Sequence, residues 1–130
     1  MHMQPTTIET GKLGEDIACS YLTKKGFTIV TRNFRAKTGE IDIIAKKGEI
    51  IHIVEVKALA CDSREKVANS LDSYRPEEQV HYAKLRKIVR TAEMYMMRLK
   101  DNPEYQIDVI AVFLDKSKRI ARCSLYEQVL

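Results

Sequence analysis

Four charged residues stand close together in otherwise apolar stretches: Glu40 and Asp42 in Gly39-Glu40-Ile41-Asp42-Ile43-Ile44-Ala45, and Glu55 and Lys57 in Ile50-Ile51-His52-Ile53-Val54-Glu55-Val56-Lys57. Three carboxylates gathered at one end of apolar segments repel one another and lose hydration, so at neutral pH they need cations, either Lys57 or a metal. Oxygen-only ligands suit a hard ion such as Mg²⁺ or Mn²⁺. The competing account is a wet strand end carrying ordinary surface ion pairs.

Two β-branched runs flanking Lys47-Gly48 predict a hairpin. A loop centred on that dipeptide would face Asp42 with Ile53 and Glu40 with Glu55. Side chains alternate by two, so Glu40, Asp42, Glu55 and Lys57 would share a face, with Asp42 and Glu55 as diagonal neighbours about 7–8 Å apart at Cα. The other face reads Ile41, Ile43, Ala45, Ile50, Val54 and Val56, broken by His52, while Ile44, Ile51 and Ile53 make the turn end of the charged face apolar too. A hairpin apolar on both faces belongs inside a sheet covered on both sides.

Around it, Gly11 to Lys25 reads as a helix with Leu13, Ile17, Tyr21 and Leu22 inward and Gly26 as the residue after its C-cap. Glu15 lies at the margin of that face, where it can lean over the sheet or serve as an exposed first-turn acid. Phe27 to Phe34 alternates as a first strand, and Arg32, Asn33, Arg35 and Lys37 lead into the hairpin. After Lys57 the pattern dissolves into a polar loop over 58–79. Pro76 then suits a helix first position, and Leu85, Ile88, Val89, Ala92, Tyr95, Met96 and Leu99 follow helical spacing. The flank of that helix, with His81, Lys84, Lys87 and Arg90, is either solvated or faces phosphate. Tyr105 to Leu114 is an apolar strand interrupted by Asp108, and Arg119 to Leu125 returns as an edge strand.

At 130 residues and 45% hydrophobic, the chain suits one soluble domain over 11–130 after a flexible N-terminus over 1–10. No apolar run approaches a membrane span and no signal core opens the chain, so a membrane partner is not expected. Cys19, Cys61 and Cys123 are odd in number and widely spaced, which fits reduced thiols and a cytoplasmic protein rather than a zinc site. The net charge of +4 is unevenly placed: five cations and no acid from Lys24 to Lys37, six against Glu93 from Lys84 to Lys100, and four unopposed from Lys116 to Arg122. Such asymmetry marks either a surface for a polyanion or solvated helix faces.

The blocks Gly14-Glu15-Asp16-Ile17-Ala18, Tyr21-Leu22, Gly26-Phe27, Arg32-Asn33-Phe34-Arg35, Gly39-Glu40-Ile41-Asp42, Val54-Glu55-Val56-Lys57, Lys84 to Ala92 and Ile107-Asp108-Val109 occur in order over roughly residues 11 to 113. Together they resemble the YraN-like family, an uncharacterised bacterial group regarded as distant relatives of archaeal Holliday junction resolvases within the restriction-endonuclease-like superfamily. The resemblance implies an α/β fold with a central mixed five-stranded sheet flanked by helices, and a metal-dependent endonuclease or resolvase hydrolysing DNA phosphodiester bonds. It further implies Asp42, Glu55 and the Val56 carbonyl as ligands of Mg²⁺ or Mn²⁺, Lys57 as the residue that positions or activates water, and Glu15 as a helix-borne member of the acidic cluster. Arg32, Arg35, Lys37, Lys84 and Lys87 are the expected contacts to nucleic acid, and a homodimer is left open. The chain departs from the family at Lys57-Ala58-Leu59, where Lys-Thr-Arg is common, at Gln106, where an arginine often stands, and at His52, which replaces an apolar residue. The rival expectation is a catalytically silent nucleic-acid-binding module of the same fold.

Overall fold

The computed structural model describes residues 7–61, 82–115 and 117–130. Its elements are α1 (Thr7–Lys24), β1 (Thr28–Ala36), β2 (Gly39–Lys47), β3 (Ile50–Cys61), α2 (Tyr82–Met96), β4 (Tyr105–Asp115) and β5 (Ile120–Tyr126). The strands form one five-stranded sheet in sequence order, β1-β2-β3-β4-β5. Neighbours are antiparallel except β3 and β4, which are parallel and joined through the crossover that carries α2. This is the mixed sheet flanked by helices that the sequence leads one to expect. No described helix is long and apolar enough to cross a membrane.

The two helices cover opposite faces of the sheet. On one, Ala18 and Leu22 of α1 pack with Phe27, Ile43, Ala45, Val54, Ile110, Val112 and Leu114. On the other, Ile88, Ala92 and Met96 of α2 pack with Ile41, Ile44, Ile51, Ile53 and Ile107. The inward stripe of α1 differs from expectation at Leu13, which is 46% exposed. Gly14 takes the inner position instead: a Cβ there would lie 2.6 Å from the Ala58 Cβ, so the helix backbone rests directly on β3. At its other end α1 closes with the amide of Gly26 (φ 93°) on the Thr23 carbonyl and that of Phe27 on the Leu22 carbonyl, a Schellman arrangement that turns Phe27 into the core beside Leu22.

Three expectations are corrected. The β2–β3 turn is centred on Gly48-Glu49, because Lys47 pairs with Ile50. Gly48 has φ 60° and Glu49 is not among the positive-φ residues, the pattern of a type II′ turn, which wants glycine first rather than second. Every pairing therefore moves by two residues, which preserves the faces. Secondly, β3 does not stop at Lys57 but continues to Cys61, because Ala58, Leu59, Ala60 and Cys61 are themselves apolar and β4 supplies ladder partners as far as Asp115. The rest of the expected 58–79 loop, from 62 on, and Pro76 lie outside the described residues.

Thirdly, Ile41 and Ile43 sit in different core clusters, on opposite faces, so simple alternation breaks at Asp42. The facing strand turns at the same level: Asn33 has φ 54°, Arg32 reaches α1, and Phe34 packs edge-on to Tyr95 at 5.3 Å on the α2 side. The β1–β2 turn is tied to α2 by Thr38 Oγ1 and Thr91 Oγ1, 2.8 Å apart.

The close approach at Gly14 is testable. Alanine in place of a helical glycine ordinarily gains up to about 1 kcal/mol, but here the added methyl meets a strand Cβ that cannot swing away. Overpacking of that kind costs about 1–3 kcal/mol, so Gly14→Ala should lower the melting temperature and Ala58→Gly should restore part of the loss in the double variant. A Gly14→Ala protein as stable as wild type would remove the contact from the account.

Candidate metal centre

The shifted register improves the meeting of the acids. The ladder runs as far as Ile43 and Val54, and just beyond it the side chains of Asp42 and Glu55 lie close enough to act on each other's protonation. The ladder gives way there to a side chain: the Val56 amide donates to Asp42 Oδ2 at 2.8 Å. Glu55 is buried, 8% exposed, and Asp42 is half-buried. A cavity of about 260 Å³ opens over them on the α2 side, lined by Gly39, Glu40, Asp42, Glu55, Lys84 and Lys87.

The electrostatics follow from that placement. Burial, and then the Asp42 charge, push the Glu55 carboxyl up from the ordinary 4.5 to about 7, against the opposing pull of Lys84. Asp42 is raised as well, first by burial, with the Val56 amide, Glu55 and Lys84 opposing and Glu40 adding repulsion. Glu15, half-buried beside Gly14, is raised by burial and then by Asp42, with Arg32 opposing. Asp42 of β2 thus acts on both Glu15 of α1 and Glu55 of β3. Glu40 is exposed and pairs with Arg35 at 3.3 Å.

The cation on this cluster is not Lys57. Lys84 of α2 places Nζ 2.7 Å from Glu55 Oε1, and that hydrogen bond and charge outweigh the effect of burial and raise the Lys84 pKa. Lys57 follows Glu55 by two residues on the same side of β3 and is half-buried, but it forms no ion pair with another described residue. Among the other basic residues singled out from the sequence, Arg32 lies 2.8 Å from Asp16 and 3.8 Å from Glu15, Lys87 lines the cavity, and Lys37 is exposed at the β1–β2 turn. A second cleft, of about 520 Å³, opens beside α1 between Lys12, Glu15, Asp16, Arg32, Asn33 and Arg35.

Sequence reading missed a further cluster at the other end of β3. His52 Nδ1 lies 2.6 Å from Asp108 Oδ2, both residues are buried, and the imidazole stands edge-on to Phe27 at 4.8 Å. Asp108 Oδ1 accepts from Gln106 Nε2 and from the Gln128 amide, both at 2.9 Å, while the Val129 amide donates to the Ile107 carbonyl, so the network pins the C-terminal segment to β4. With Glu127 these residues bring one ligand atom each within 4.8 Å, a group that could hold a metal ion. The signal was a lone polar residue breaking each of two apolar strands, and the parallel register sets His52 beside Gln106, two residues from Asp108.

Comparison with known proteins finds one family. Residues 14–112 match the Uncharacterised protein family UPF0102. A UPF0102 protein of Campylobacter lari is 43% identical over 114 residues, covering 88% of this chain and 92% of the relative. One from Campylobacter jejuni is 44% identical over 102 residues, covering 78% and 81%, and one from Campylobacter concisus is 40% identical over 116 residues, covering 88% and 93%.

A carboxyl whose pKa is raised on folding favours the fold while protonated. Its contribution is fully present below the unfolded value of 4.5 and is lost as pH rises through about 7. In metal-free buffer the melting temperature of wild type should therefore fall relative to that of Glu55→Gln between about pH 5 and about pH 8. Parallel curves for the two proteins across that interval would show that Glu55 is not strained by its surroundings.

Proposed function

The chain belongs to the uncharacterised protein family UPF0102, and from that premise we propose that it is a metal-dependent endonuclease or resolvase acting on phosphodiester bonds in DNA. The observation that carries this reading is the meeting of Asp42 and Glu55 across neighbouring strands, desolvated, mutually repelling and rimmed by basic side chains. The donor set fits a hard divalent ion, because the carboxylates offer oxygen only and their charged forms are disfavoured until a cation arrives. Asp42, Glu55 and the Val56 carbonyl would hold Mg²⁺ or Mn²⁺. Such an ion supplies Lewis acidity and a water of lowered pKa.

The protein's own groups do the rest. Glu15, whose carboxyl already feels Asp42, completes the acidic cluster from α1. Lys57, two residues beyond Glu55 on β3, would orient a water or stabilise developing negative charge. Arg32 and Arg35 line one cleft, Lys84 and Lys87 the other, and Lys37 is exposed at the β1–β2 turn; their charge can track a phosphate backbone without reading bases. A single restriction-endonuclease-like domain over 11–130 and a cytoplasmic location complete the proposal, the latter consistent with free Cys19 and Cys123, whose thiols burial raises.

One observation favours a second reading, a nucleic-acid-binding module without turnover: Lys84 already gives the acidic pair a cation of its own. A cleavage assay on junction, flap, nicked and linear DNA with Mg²⁺ or Mn²⁺ separates the two. The nuclease reading expects metal-dependent cleavage that Asp42→Ala or Glu55→Ala lowers by about a hundredfold or more, with the double variant losing little beyond either single one. Metal-independent binding without cleavage would leave the module.

Under either reading, affinity for DNA should fall linearly in log salt, and Arg35→Ala should reduce the slope by about one. An affinity indifferent to salt would count against a nucleic-acid partner.

A further inference from the structure

The ion pair on Glu55 joins unequal partners. The Glu55 side chain is 9% exposed and fixed in the sheet, whereas that of Lys84 is 52% exposed and reaches down from α2. An ammonium on a flexible four-carbon stem rehydrates readily where the cavity opens to water, so Lys84 is the partner able to leave. Its charge is also insufficient: one ammonium faces two carboxyls, those of Glu55 and Asp42, which line the same cavity. A doubly charged ion would neutralise the pair more fully. Lys87 lines the same cavity, but the ion pair to Glu55 is made by Lys84, while at the neighbouring cleft Arg35 is engaged by Glu40 and Arg32 by Asp16.

Resting on the nuclease reading, we propose that Lys84 is an internal competitor for the metal position. Its ammonium holds the Asp42–Glu55 pair together while no divalent ion is bound, and metal entry displaces it towards the cavity mouth, where it joins Lys87 in facing substrate phosphate. Lys84 is thus a positioning residue that sets metal affinity and links it to the substrate. A phosphate that draws Lys84 off Glu55 favours metal binding, and by reciprocity bound metal favours phosphate. The device keeps the acidic pair from standing uncompensated, at the expense of metal affinity in the absence of DNA.

The test is a calorimetric Mn²⁺ titration of wild type, Lys84→Met and Glu55→Gln in mildly alkaline buffer, so that protons do not compete. Lys84→Met keeps the length of the side chain and removes its charge. It should bind Mn²⁺ more tightly than wild type by about tenfold, the scale of one partly screened charge-assisted hydrogen bond, and Glu55→Gln should bind least. If wild type binds Mn²⁺ through Glu55 and Lys84→Met binds no tighter, the competitor role is overturned while the metal site stands. If neither wild type nor Lys84→Met binds, or Glu55→Gln binds as well as wild type, the metal site falls and the proposal with it. A second measurement serves should Lys84→Met not fold: acetylation of wild-type Lys84 by a water-soluble active ester, read by mass spectrometry, should speed up severalfold on saturation with Mn²⁺ as the ion pair opens. An unchanged or slower rate overturns the displacement.

Discussion

Two carboxyl groups held close together on adjacent strands, where burial strips much of their hydration, impose a standing electrostatic cost, and much of the surrounding structure is arranged around it. Asp42 cannot retreat, because it satisfies the Val56 amide at the point where the β2–β3 ladder opens. Glu55 cannot retreat either, because β4 pairs with β3 on its other side. The remaining freedom lies in protonation, in Lys84 and in any cation that enters. Both carboxyls are raised first by burial, and Glu55 further by the Asp42 charge.

The backbone irregularities make sense in the same frame. A left-handed Asn33 and the change of face between Ile41 and Ile43 put Asp42 at a kink, where it is felt by Glu55 and Lys84 near α2 and by Glu15 on α1. Gly14 lets α1 rest on β3 closely enough for Glu15 to take part. Energy spent on left-handed backbone and on desolvated acids is often concentrated where a protein does chemistry, although structural ion pairs shift carboxyls too.

The strands, both helices, the cover on both faces and the Gly26 cap were legible in the sequence because each rests on local periodicity or on a glycine with one conformational use. So were Asp42 and Glu55 as partners, since a slip of two residues leaves faces unchanged. What was not legible depended on contacts between distant segments. Nothing near Glu55 marks Lys84 as its partner rather than Lys57, two residues away, because α2 docks through apolar residues that leave the aim of its charged flank open. The His52–Asp108 pair needed the parallel register of β3 and β4, which no local pattern encodes. Leu13 was misplaced because its helical phase is right but Gly14 brings the backbone too close for a side chain at the contact.

Two groups of ligand atoms now compete as the place for an ion: the acidic pair, desolvated and short of positive charge, and His52, Asp108 and Glu127, where the Asp108 carboxylate is already satisfied by hydrogen bonds. Anomalous diffraction from crystals grown with Mn²⁺, recorded on either side of the manganese edge, decides between them. The account predicts a manganese peak between the carboxylates of Asp42 and Glu55. A peak at His52–Asp108–Glu127 with none between Asp42 and Glu55 would contradict it.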